Sequence, residues 1–224
     1  MASIIELKNI TKRFEEKVVL NDVCLDIEEG DYISVIGASG AGKSTLMNII
    51  GALDNQYDGE YFYRGHLLKR REMDRYRNEK LGFIFQQFNL IPTLSAYDNV
   101  MLPYVYSALD NQKIEEECEE LFVRFNLHNQ KNQIVNTLSG GEKQRIALIR
   151  SIIMKPEIIL ADEPTGNLDM DNARLIRSFL RQMNEEGKTV IVVTHDNAFA
   201  NEAKRKLRIS GGKIIEDEIV YPLI

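Results

Sequence analysis

Short, continuously apolar runs alternate along the chain with segments of helical periodicity, which is the pattern of an α/β protein. Four runs have the composition of strands buried in a sheet: residues 32–36, 81–85, 157–161 and 189–194. Four other segments have the shorter or alternating pattern of antiparallel strands: residues 4–7, 18–20, 22–27 and 58–65. Lys12, Arg13 and Phe14 are predicted to lie in a polar turn between the first two of these, and residues 207–220 are predicted to form a closing hairpin.

Helical periodicity predicts helices in several places. Residues 46–50 follow the first buried run with the spacing of a helix packed on a sheet, and residues 171–186 place their apolar side chains on one stripe. Gly187 then stands where a helix C-cap belongs. Residues 69–80 are rich in Arg and Lys but interleaved with acidic residues, which favours a solvated helix face, with a nucleic-acid patch as the alternative.

The composition shifts in the middle of the chain. Residues 89–156 have a helical pattern with no clear strand. We therefore predict one domain, 1–224, whose core consists of about residues 1–88 and 157–224. A helical subdomain of about residues 89–156 is inserted between these two halves.

A glycine-rich turn follows the first buried strand and leads into the first helix. Its residues are Gly37, Ala38, Ser39, Gly40, Ala41, Gly42, Lys43, Ser44 and Thr45. Glycines let successive backbone N–H groups face one anion, and the start of the helix adds its positive dipole end. Lys43 can reach the β- and γ-phosphates of a nucleoside triphosphate, and the Ser44 hydroxyl can ligate Mg²⁺. A ligand-free turn is the alternative, but the spacing favours a phosphate-binding loop.

Composition narrows the class of protein further. The 224 residues are 44% hydrophobic and 28% charged, which is typical of a globular chain. The net charge of −6 and a pI near 5.3 argue against nucleic acid as a partner. Cys24 and Cys118 have no metal-ligand spacing and are expected to be reduced, buried thiols. No signal pattern or run of ~20 apolar residues is present, so any membrane role is expected to be that of a soluble subunit.

Two carboxylates end the third buried strand. Asp162 and Glu163 follow Ile158–Ala161, at the edge of the sheet where the phosphate loop is also expected. Asp162 is suited to hold Mg²⁺, and Glu163 to polarise a water directed at the γ-phosphate. The alternative is a capping pair for the next turn, since Pro164 and Thr165 follow.

A second candidate anion site precedes another helix. Ser139 is a good N-cap, Gly140 and Gly141 allow close approach to the helix N-terminus, and Glu142 follows. Two glycines there weaken a helix by roughly 1 kcal/mol each relative to alanine. An ordinary N-cap does not need these two glycines. A chain with one triphosphate site also has no evident need for a second anion-binding helix terminus, so the glycine pair requires an explanation.

The order of these motifs resembles the ATP-binding cassette (ABC) family. The matching features are the phosphate loop, Gln86, the sequence LSGGE at 138–142, the sequence ADEP at 161–164, and His195. They cover nearly the whole chain, and together they are far more specific than the phosphate loop alone. In that family two cassettes pair head to tail, and the signature of one closes over the ATP of the other. The resemblance therefore implies that Ser139 and Gly141 face the partner's γ-phosphate, and that Gly140 and Glu142 belong to the same nucleotide-binding segment.

The resemblance also implies roles for single residues. Phe14 would stack on adenine, at a place where the family more often has Tyr. Gln86 would sense Mg²⁺ and the attacking water while contacting a membrane partner. Asp169 would cross the dimer interface. His195 would contact the γ-phosphate and orient the water of Glu163. On the sequence alone, a hydrogen bond within the loop is the alternative role for this histidine.

One branch of the family is a finer match. Residues 162–169 read DEPTGNLD, and residues 81–90 read LGFIFQQFNL before Asp98-Asn99-Val100. These sequences resemble the ATPases of macrolide exporters, lipoprotein-releasing systems and antimicrobial-peptide export or resistance systems.

The resemblance implies an α/β P-loop cassette with a mixed nucleotide-binding core, an antiparallel β-subdomain and an inserted helical subdomain. Such a cassette binds ATP and Mg²⁺, hydrolyses ATP as a dimer, expected to be a homodimer, and drives a separate integral membrane permease at the cytoplasmic face of the membrane. Export of a peptide, lipoprotein or drug is the expected process. The alternatives are a mechanical relay without cargo and a soluble ABC ATPase acting on ribosomes or DNA.

Overall fold

Two β-sheets, seven α-helices and three short 3₁₀ helices are present in the computed structural model, which describes residues 3–105, 107, 111–166 and 168–220. The antiparallel sheet has the strand order β2–β1–β4–β5. Its strands are β1 (Ser3–Phe14), β2 (Lys17–Glu28), β4 (Asp58–Tyr63) and β5 (His66–Leu67). One face of this sheet packs on the first helix and the second sheet, forming a single apolar core that includes Ile5, Leu20, Val35 and Ile49.

The second sheet has six strands in the order β10–β9–β3–β8–β7–β6. They are β3 (Tyr32–Ile36), β6 (Leu81–Phe85), β7 (Ile158–Asp162), β8 (Thr189–Val193), β9 (Arg205–Ser210) and β10 (Lys213–Ile219). Strands β3, β6, β7, β8 and β9 pair in parallel, and β10 adds an antiparallel edge. The predicted α/β class with a mixed core sheet and a flanking antiparallel sheet is confirmed.

The helices cover both faces of the six-stranded sheet and one end of it. They are α1 (Lys43–Ile50), α2 (Met73–Lys80), α3 (Ala96–Val105), α4 (Asn111–Arg124), α5 (Gly140–Ile152), α6 (Met170–Glu185) and α7 (Asn197–Ala200). Helices α3, α4 and α5 share a separate apolar cluster that contains Val100, Phe122 and Ile149. No strand is formed by the described residues between 89 and 156, although the limits of the inserted subdomain stay a prediction. None of the described helices combines the length and apolar character needed to cross a bilayer.

The first hairpin differs from its prediction. Lys12, Arg13 and Phe14 lie in β1 rather than in a polar turn, and Phe14 pairs with Lys17 across a turn of only two residues. The segments 18–20 and 22–27 form one strand, interrupted by irregular register and a positive φ of 55° at Asp22. The hydrogen-bonded pairing of β1 with β2 continues up to Phe14 and Lys17. The polar side chains at 12–14, which indicate a turn, are therefore part of the strand.

Other local predictions have mixed outcomes. The helix at 171–186 is present as α6, and Gly187 adopts the left-handed conformation (φ 89°) that its position required. Cys118 is buried as expected, but Cys24 is exposed on β2, so the expectation of two buried thiols is wrong for Cys24. Alternation along an antiparallel strand with one solvated face explains this, since Val23 and Leu25 occupy the buried side.

The basic segment before β6 is a short 3₁₀ turn followed by α2. Arg75 pairs with Glu79 and Arg77 with Asp74, on exposed or half-buried positions of the helix. The solvated face expected for this segment is present, and its buried side is formed by Met73 and Tyr76.

Candidate nucleotide-binding site

The glycine-rich turn connects β3 to α1 and approaches two other strands closely. A Cβ atom on Gly37 would lie 2.3 Å from the carbonyl oxygen of Ile209 on β9. On Gly42, which caps α1 with φ 107°, it would lie 2.9 Å from Leu20 Cδ2 and 3.0 Å from the Val19 carbonyl oxygen. Only glycine fits both positions without displacing backbone, so the turn is held in one shape by its neighbours.

Lys43 begins α1 and folds back over this turn. Its Nζ donates hydrogen bonds to the carbonyl oxygens of Gly37 at 2.8 Å and Ala38 at 3.0 Å. The ammonium group is thereby placed at the concave side of the loop, where backbone N–H groups and the helix N-terminus already favour an anion.

A cavity of about 470 Å³ lies against this loop. It is lined by Phe14, Lys17, Val19, Gly37, Ser39, Gly40, Gly42, Lys43, Ser44, Thr45, Glu163 and His195. Ten of these twelve residues are predicted from the sequence. The cavity lies between the antiparallel sheet, which contributes residues of β1 and β2, and the segments that follow strands of the six-stranded sheet. Ala38 and Ala41 belong to the loop but do not line the cavity.

Two cavity residues, Lys17 and Val19, are absent from the sequence-based prediction. Both lie on β2, and Lys17 is the residue opposite Phe14 in the hairpin register. The signal that could have found them is the strand pairing itself, because a two-residue turn after Phe14 places Lys17 beside it. The wrong turn assignment at 12–14 concealed that neighbour.

Asp162 ends β7 and is half-buried. Its Oδ1 is inaccessible and has no hydrogen-bond partner, so this oxygen does not cap the following turn. Burial raises the pKa of Asp162, the nearby charge of Glu163 raises it further, and Lys43 opposes both effects. The partnerless oxygen of Asp162 lies within the influence of the Lys43 charge, and Ser44 follows Lys43 at the start of α1. A carboxylate and a hydroxyl are oxygen donors of the kind that Mg²⁺ uses when phosphates supply the remaining ligands. The residues present therefore fit Mg²⁺ together with a nucleotide.

No described group of three or more His, Cys, Asp or Glu side chains could hold a metal ion by itself. This agrees with the small donor set of Asp162 and Ser44. Mg²⁺ is commonly bound through one or two protein oxygens, with water and substrate phosphates completing the octahedron.

Glu163 and His195 meet at the rim of the cavity. The Nδ1 of His195 lies 2.8 Å from Glu163 Oε2, and the backbone N–H of His195 donates to the same oxygen at 3.4 Å. The side chain of Glu163 is 21% exposed and that of His195 is 72% exposed. A carboxylate oriented by an imidazole and open to water is a suitable arrangement for a general base.

Gln86 follows β6 directly and lies next to the turn after Glu163. Phe85 is the register partner of Asp162, and a Cβ atom on Gly166 would lie 2.9 Å from Gln86 Nε2. Gln86 does not line the cavity, so the structure places it beside the carboxylate turn and outside the loop pocket.

The second candidate anion site lies elsewhere on the molecule. Ser139 caps α5, its hydroxyl and backbone N–H pair with Glu142, and the Ser139 hydroxyl and N–H lower the pKa of that carboxyl. Asp169 caps α6 in the same way, accepting from the backbone N–H and side chain of Asn172. Asn172, which sequence reasoning missed, also approaches Gly141, since a Cβ there would lie 3.3 Å from its Oδ1.

The starts of α5 and α6 therefore lie together, and their residues are exposed or half-buried. None of Ser139, Gly140, Gly141, Glu142 and Asp169 lines the loop cavity. Asn167, part of the DEPTGNLD sequence, lies outside the described residues.

A phosphate loop, an aspartate with a partnerless oxygen and a glutamate–histidine pair on a mixed α/β core define a P-loop nucleotide-binding protein. The family model for ABC transporters matches residues 20–166, and the chain belongs to the ABC transporter family. It is accordingly an ATP-binding cassette of the ATPase class, with ATP and Mg²⁺ as the ligands expected for the family.

The chain is 42% identical over 221 residues to the macrolide export ATP-binding/permease protein MacB of Pasteurella multocida, a match that covers 96% of this chain and 34% of that protein. The same protein of Campylobacter jejuni is 42% identical over 217 residues. The chain thus spans about one third of the length of these curated relatives.

Among solved structures, the ATP-binding cassette MJ0796 in a dimeric post-hydrolysis state bound to ADP and Pi is similar to the chain. The TM-score is 0.85 at 38% identity, and the match covers 98% of this chain and 100% of that one.

Proposed function

We propose that the chain is the ATP-hydrolysing subunit of a transporter, that it acts as a homodimer, and that it drives a separate integral membrane permease from the cytoplasmic face of the membrane. Its process would be the export or extrusion of a peptide, lipoprotein or drug. Support for export comes from the relatives named macrolide export proteins, which match 96% of this chain.

Binding would use groups from both sheets. Bound ATP with Mg²⁺ supplies the phosphoanhydride bond and a divalent charge that neutralises the phosphates. Lys43 would transfer its hydrogen bonds from the loop carbonyls to the β- and γ-phosphates, while Ser44 and Asp162 would hold the cation. Phe14, which is 51% exposed at the cavity, would stack on adenine.

Hydrolysis would depend on the residues at the rim of the cavity. Glu163 would accept a proton from the attacking water, and His195 would fix the orientation of that carboxylate and contact the γ-phosphate. Gln86, beside the turn that follows Glu163, would contact the water and the metal ion.

The proposal of a dimer rests on one observation. The glycine pair that begins α5 has the features of an anion site, but it does not line this chain's own nucleotide cavity. A Cβ atom on Gly140 would meet nothing within 4 Å, so the backbone there is open to approach from outside. A second copy of the chain, bringing its own ATP, would give the glycine pair its anion and complete each site from two chains.

A second groove supports the permease as a partner. It has a volume of about 690 Å³ and lies between α2, β6, α3 and the end of α5. We call it the Phe83 groove and define it by its apolar residues Leu53, Phe83, Phe85, Leu102, Pro103 and Met154. Charged Arg75 and Glu79 border it. An apolar groove with a charged rim suits a helical segment of a membrane partner, and its residue Phe85 directly precedes Gln86.

The dimer is tested with a variant that binds ATP without hydrolysing it. Glu163→Gln should elute from a sizing column as a dimer when ATP and Mg²⁺ are present. Adding Gly141→Asp should abolish that dimer, because a carboxylate facing the partner's γ-phosphate costs several kcal/mol when water is excluded. Labelled ATP should still bind to the double variant through its own Lys43.

Val123→Asp in the Glu163→Gln background is the matched control. It places the same charge on an exposed residue of α4, outside the loop cavity and the Phe83 groove, and should leave the ATP-dependent dimer intact. A dimer that persists in Glu163→Gln/Gly141→Asp would exclude the start of α5 from the interface.

A further inference from the structure

Lys12 is a buried cation inside the antiparallel sheet. It is only 4% exposed, although it lies two residues from Phe14 on the same strand. Its Nζ pairs with both carboxylate oxygens of Asp54, at 2.9 and 2.7 Å, and donates to the carbonyl oxygen of Gln56 at 2.6 Å. A buried ammonium is retained only when it is paired in this way.

The same ammonium lies over the ring of Phe14, with Nζ 4.8 Å from the ring centroid. The ring thus has a buried cation over it, while Phe14 itself is 51% exposed and lines the nucleotide cavity. A cation at this distance attracts an aromatic ring and restricts its orientation.

Asp54 connects this cation to the phosphate loop. Asp54 follows the end of α1, the helix that begins at Lys43, and its backbone N–H donates to the carbonyl oxygen of Asn48 in that helix. Lys12 is also the register partner of Leu20 in β2. The side chain of Leu20 lies against Gly42 of the phosphate loop, where a Cβ atom would be 2.9 Å from Leu20 Cδ2. The ring comes from the antiparallel sheet and the phosphate loop from the six-stranded sheet, so this contact joins the two halves of the site.

We propose that Lys12 is a positioning residue for nucleotide binding: it fixes the Phe14 ring at the correct distance from the phosphate loop. Through this contact, the affinity for the base depends on the Lys12–Asp54 ion pair. The inference rests on the proposed stacking of Phe14 on adenine. It predicts a selective effect, on binding of the base and not on binding of the phosphates.

Lys12→Met tests this, since methionine fills a similar volume without the charge. ADP and inorganic pyrophosphate, each with Mg²⁺, serve as probes in titration calorimetry because neither requires hydrolysis or the γ-phosphate. Lys12→Met should weaken ADP binding roughly three- to tenfold, the range of a partly desolvated cation–π contact. Pyrophosphate binding should change by less than about twofold, since the phosphate loop is untouched.

The strand provides its own control. Lys8 is also on β1, and its Nζ lies 4.7 Å from the ring centroid of Phe62, a residue that does not line the nucleotide cavity. Lys8→Met should therefore leave both affinities unchanged. If Lys12→Met does not fold, Asp54→Ala removes the partner of the ammonium from a more exposed position and should give the same selective loss.

A double-variant comparison separates positioning from general support of the fold. Phe14→Ala should weaken ADP binding by itself, and Lys12→Met should have no further effect in that background. Equal losses for ADP and pyrophosphate, full additivity with Phe14→Ala, or unchanged ADP affinity in Lys12→Met would each overturn the proposal. Unchanged ADP affinity in Phe14→Ala would instead remove adenine stacking from the proposed function, and the role of Lys12 with it.

Discussion

Glu163 combines a reactive position with an uncommon backbone conformation. Its φ of 45° lies in the left-handed region that few non-glycine residues adopt, at a cost of about 1–3 kcal/mol. The backbone N–H of Glu163 donates to the carbonyl oxygen of Val193 at 2.9 Å, which ties the residue to the end of β8, two positions before His195. The strained backbone thus brings the carboxylate to the imidazole, at the point where the proposed chemistry occurs.

Replacing this carboxylate should separate catalysis from binding. Glu163→Gln should lower the turnover of ATP by roughly 10²- to 10⁴-fold, because the amide cannot accept the proton of the attacking water. The dissociation constant for ATP, measured with labelled nucleotide, should stay close to that of the wild type because Lys43 and the loop are unchanged.

Lys43→Ala is the contrasting variant, since it removes the ammonium group expected at the phosphates and should abolish tight ATP binding. Near-normal turnover in Glu163→Gln would assign the base to another group. Wild-type affinity in Lys43→Ala would place the triphosphate away from this loop.

At the scale of elements, Glu157 joins the two sheets. It immediately precedes β7, and its carboxylate accepts from the Tyr63 hydroxyl at 2.7 Å, from Arg64 at 2.9 Å and from Lys80 at 2.8 Å. Burial alone would raise the pKa of Glu157, but the hydrogen bonds from Lys80, Tyr63 and Arg64 outweigh it and lower the pKa to about 2. The ionised carboxylate therefore stabilises the contact between β4, α2 and β7.

This pKa predicts how stability depends on pH. The folded-state pKa of about 2 lies below the unfolded value of ~4.3, so the contribution is complete above about pH 4.5 and is lost as the pH falls toward 2. Glu157→Gln should lower the free energy of unfolding at pH 7 by ~1–2 kcal/mol, allowing for solvent screening of a partly exposed network. The difference from the wild type should shrink between pH 4.5 and 3 in denaturant titrations.

Glu79→Gln is the control for this prediction, because it breaks the exposed ion pair with Arg75 and should cost little at any pH. A difference between Glu157→Gln and the wild type that stays constant from pH 7 to 3 would mean that the carboxylate charge does not stabilise the fold.

The elements that the sequence predicted well are those whose pattern is local. Strands β3, β7 and β8 are buried on both faces, and β6 is buried on one face and half-buried on the other, so a short apolar run marks each of them within about a residue. The hairpin of β1 and β2 is different. Its ends are set by pairing between strands, and neither the two-residue turn after Phe14 nor the exposure of Cys24 follows from residue types alone.

The candidate site also contains residues that a local sequence pattern predicts and residues that only long-range contacts bring into place. The phosphate loop and the Asp162–Glu163 pair are contiguous in sequence and could be found from spacing and charge. Lys17 and Asn172 reach their positions through strand register and the meeting of two helix starts, which are long-range contacts. Whether Ser139 and Asp169 act across a dimer stays a prediction, because both cap their own helices in this single chain.

At the scale of the molecule, α5 connects two of the proposed interfaces. It begins at the glycine pair assigned to the second cassette, and near its other end Arg150 lines the Phe83 groove. Arg150 donates to the carbonyl oxygens of Phe88 and Asn89, both at 2.6 Å, which fixes the loop that follows Gln86. A movement of the helix on dimer closure would therefore be transmitted to that loop and to the groove.

The groove is tested by placing a charge in it. Leu53 lines the groove and is 46% exposed, so Leu53→Glu should fold normally. A carboxylate buried against an apolar partner surface is costly, and the amount of tagged chain that co-purifies with the permease in detergent should fall roughly tenfold or more. ATP turnover of the isolated chain should be unchanged because Leu53 does not line the nucleotide cavity. Val123→Glu, a similar change at a residue of α4 that is 60% exposed, should co-purify as the wild type does. Undiminished co-purification of Leu53→Glu would move the permease contact to another surface of the cassette.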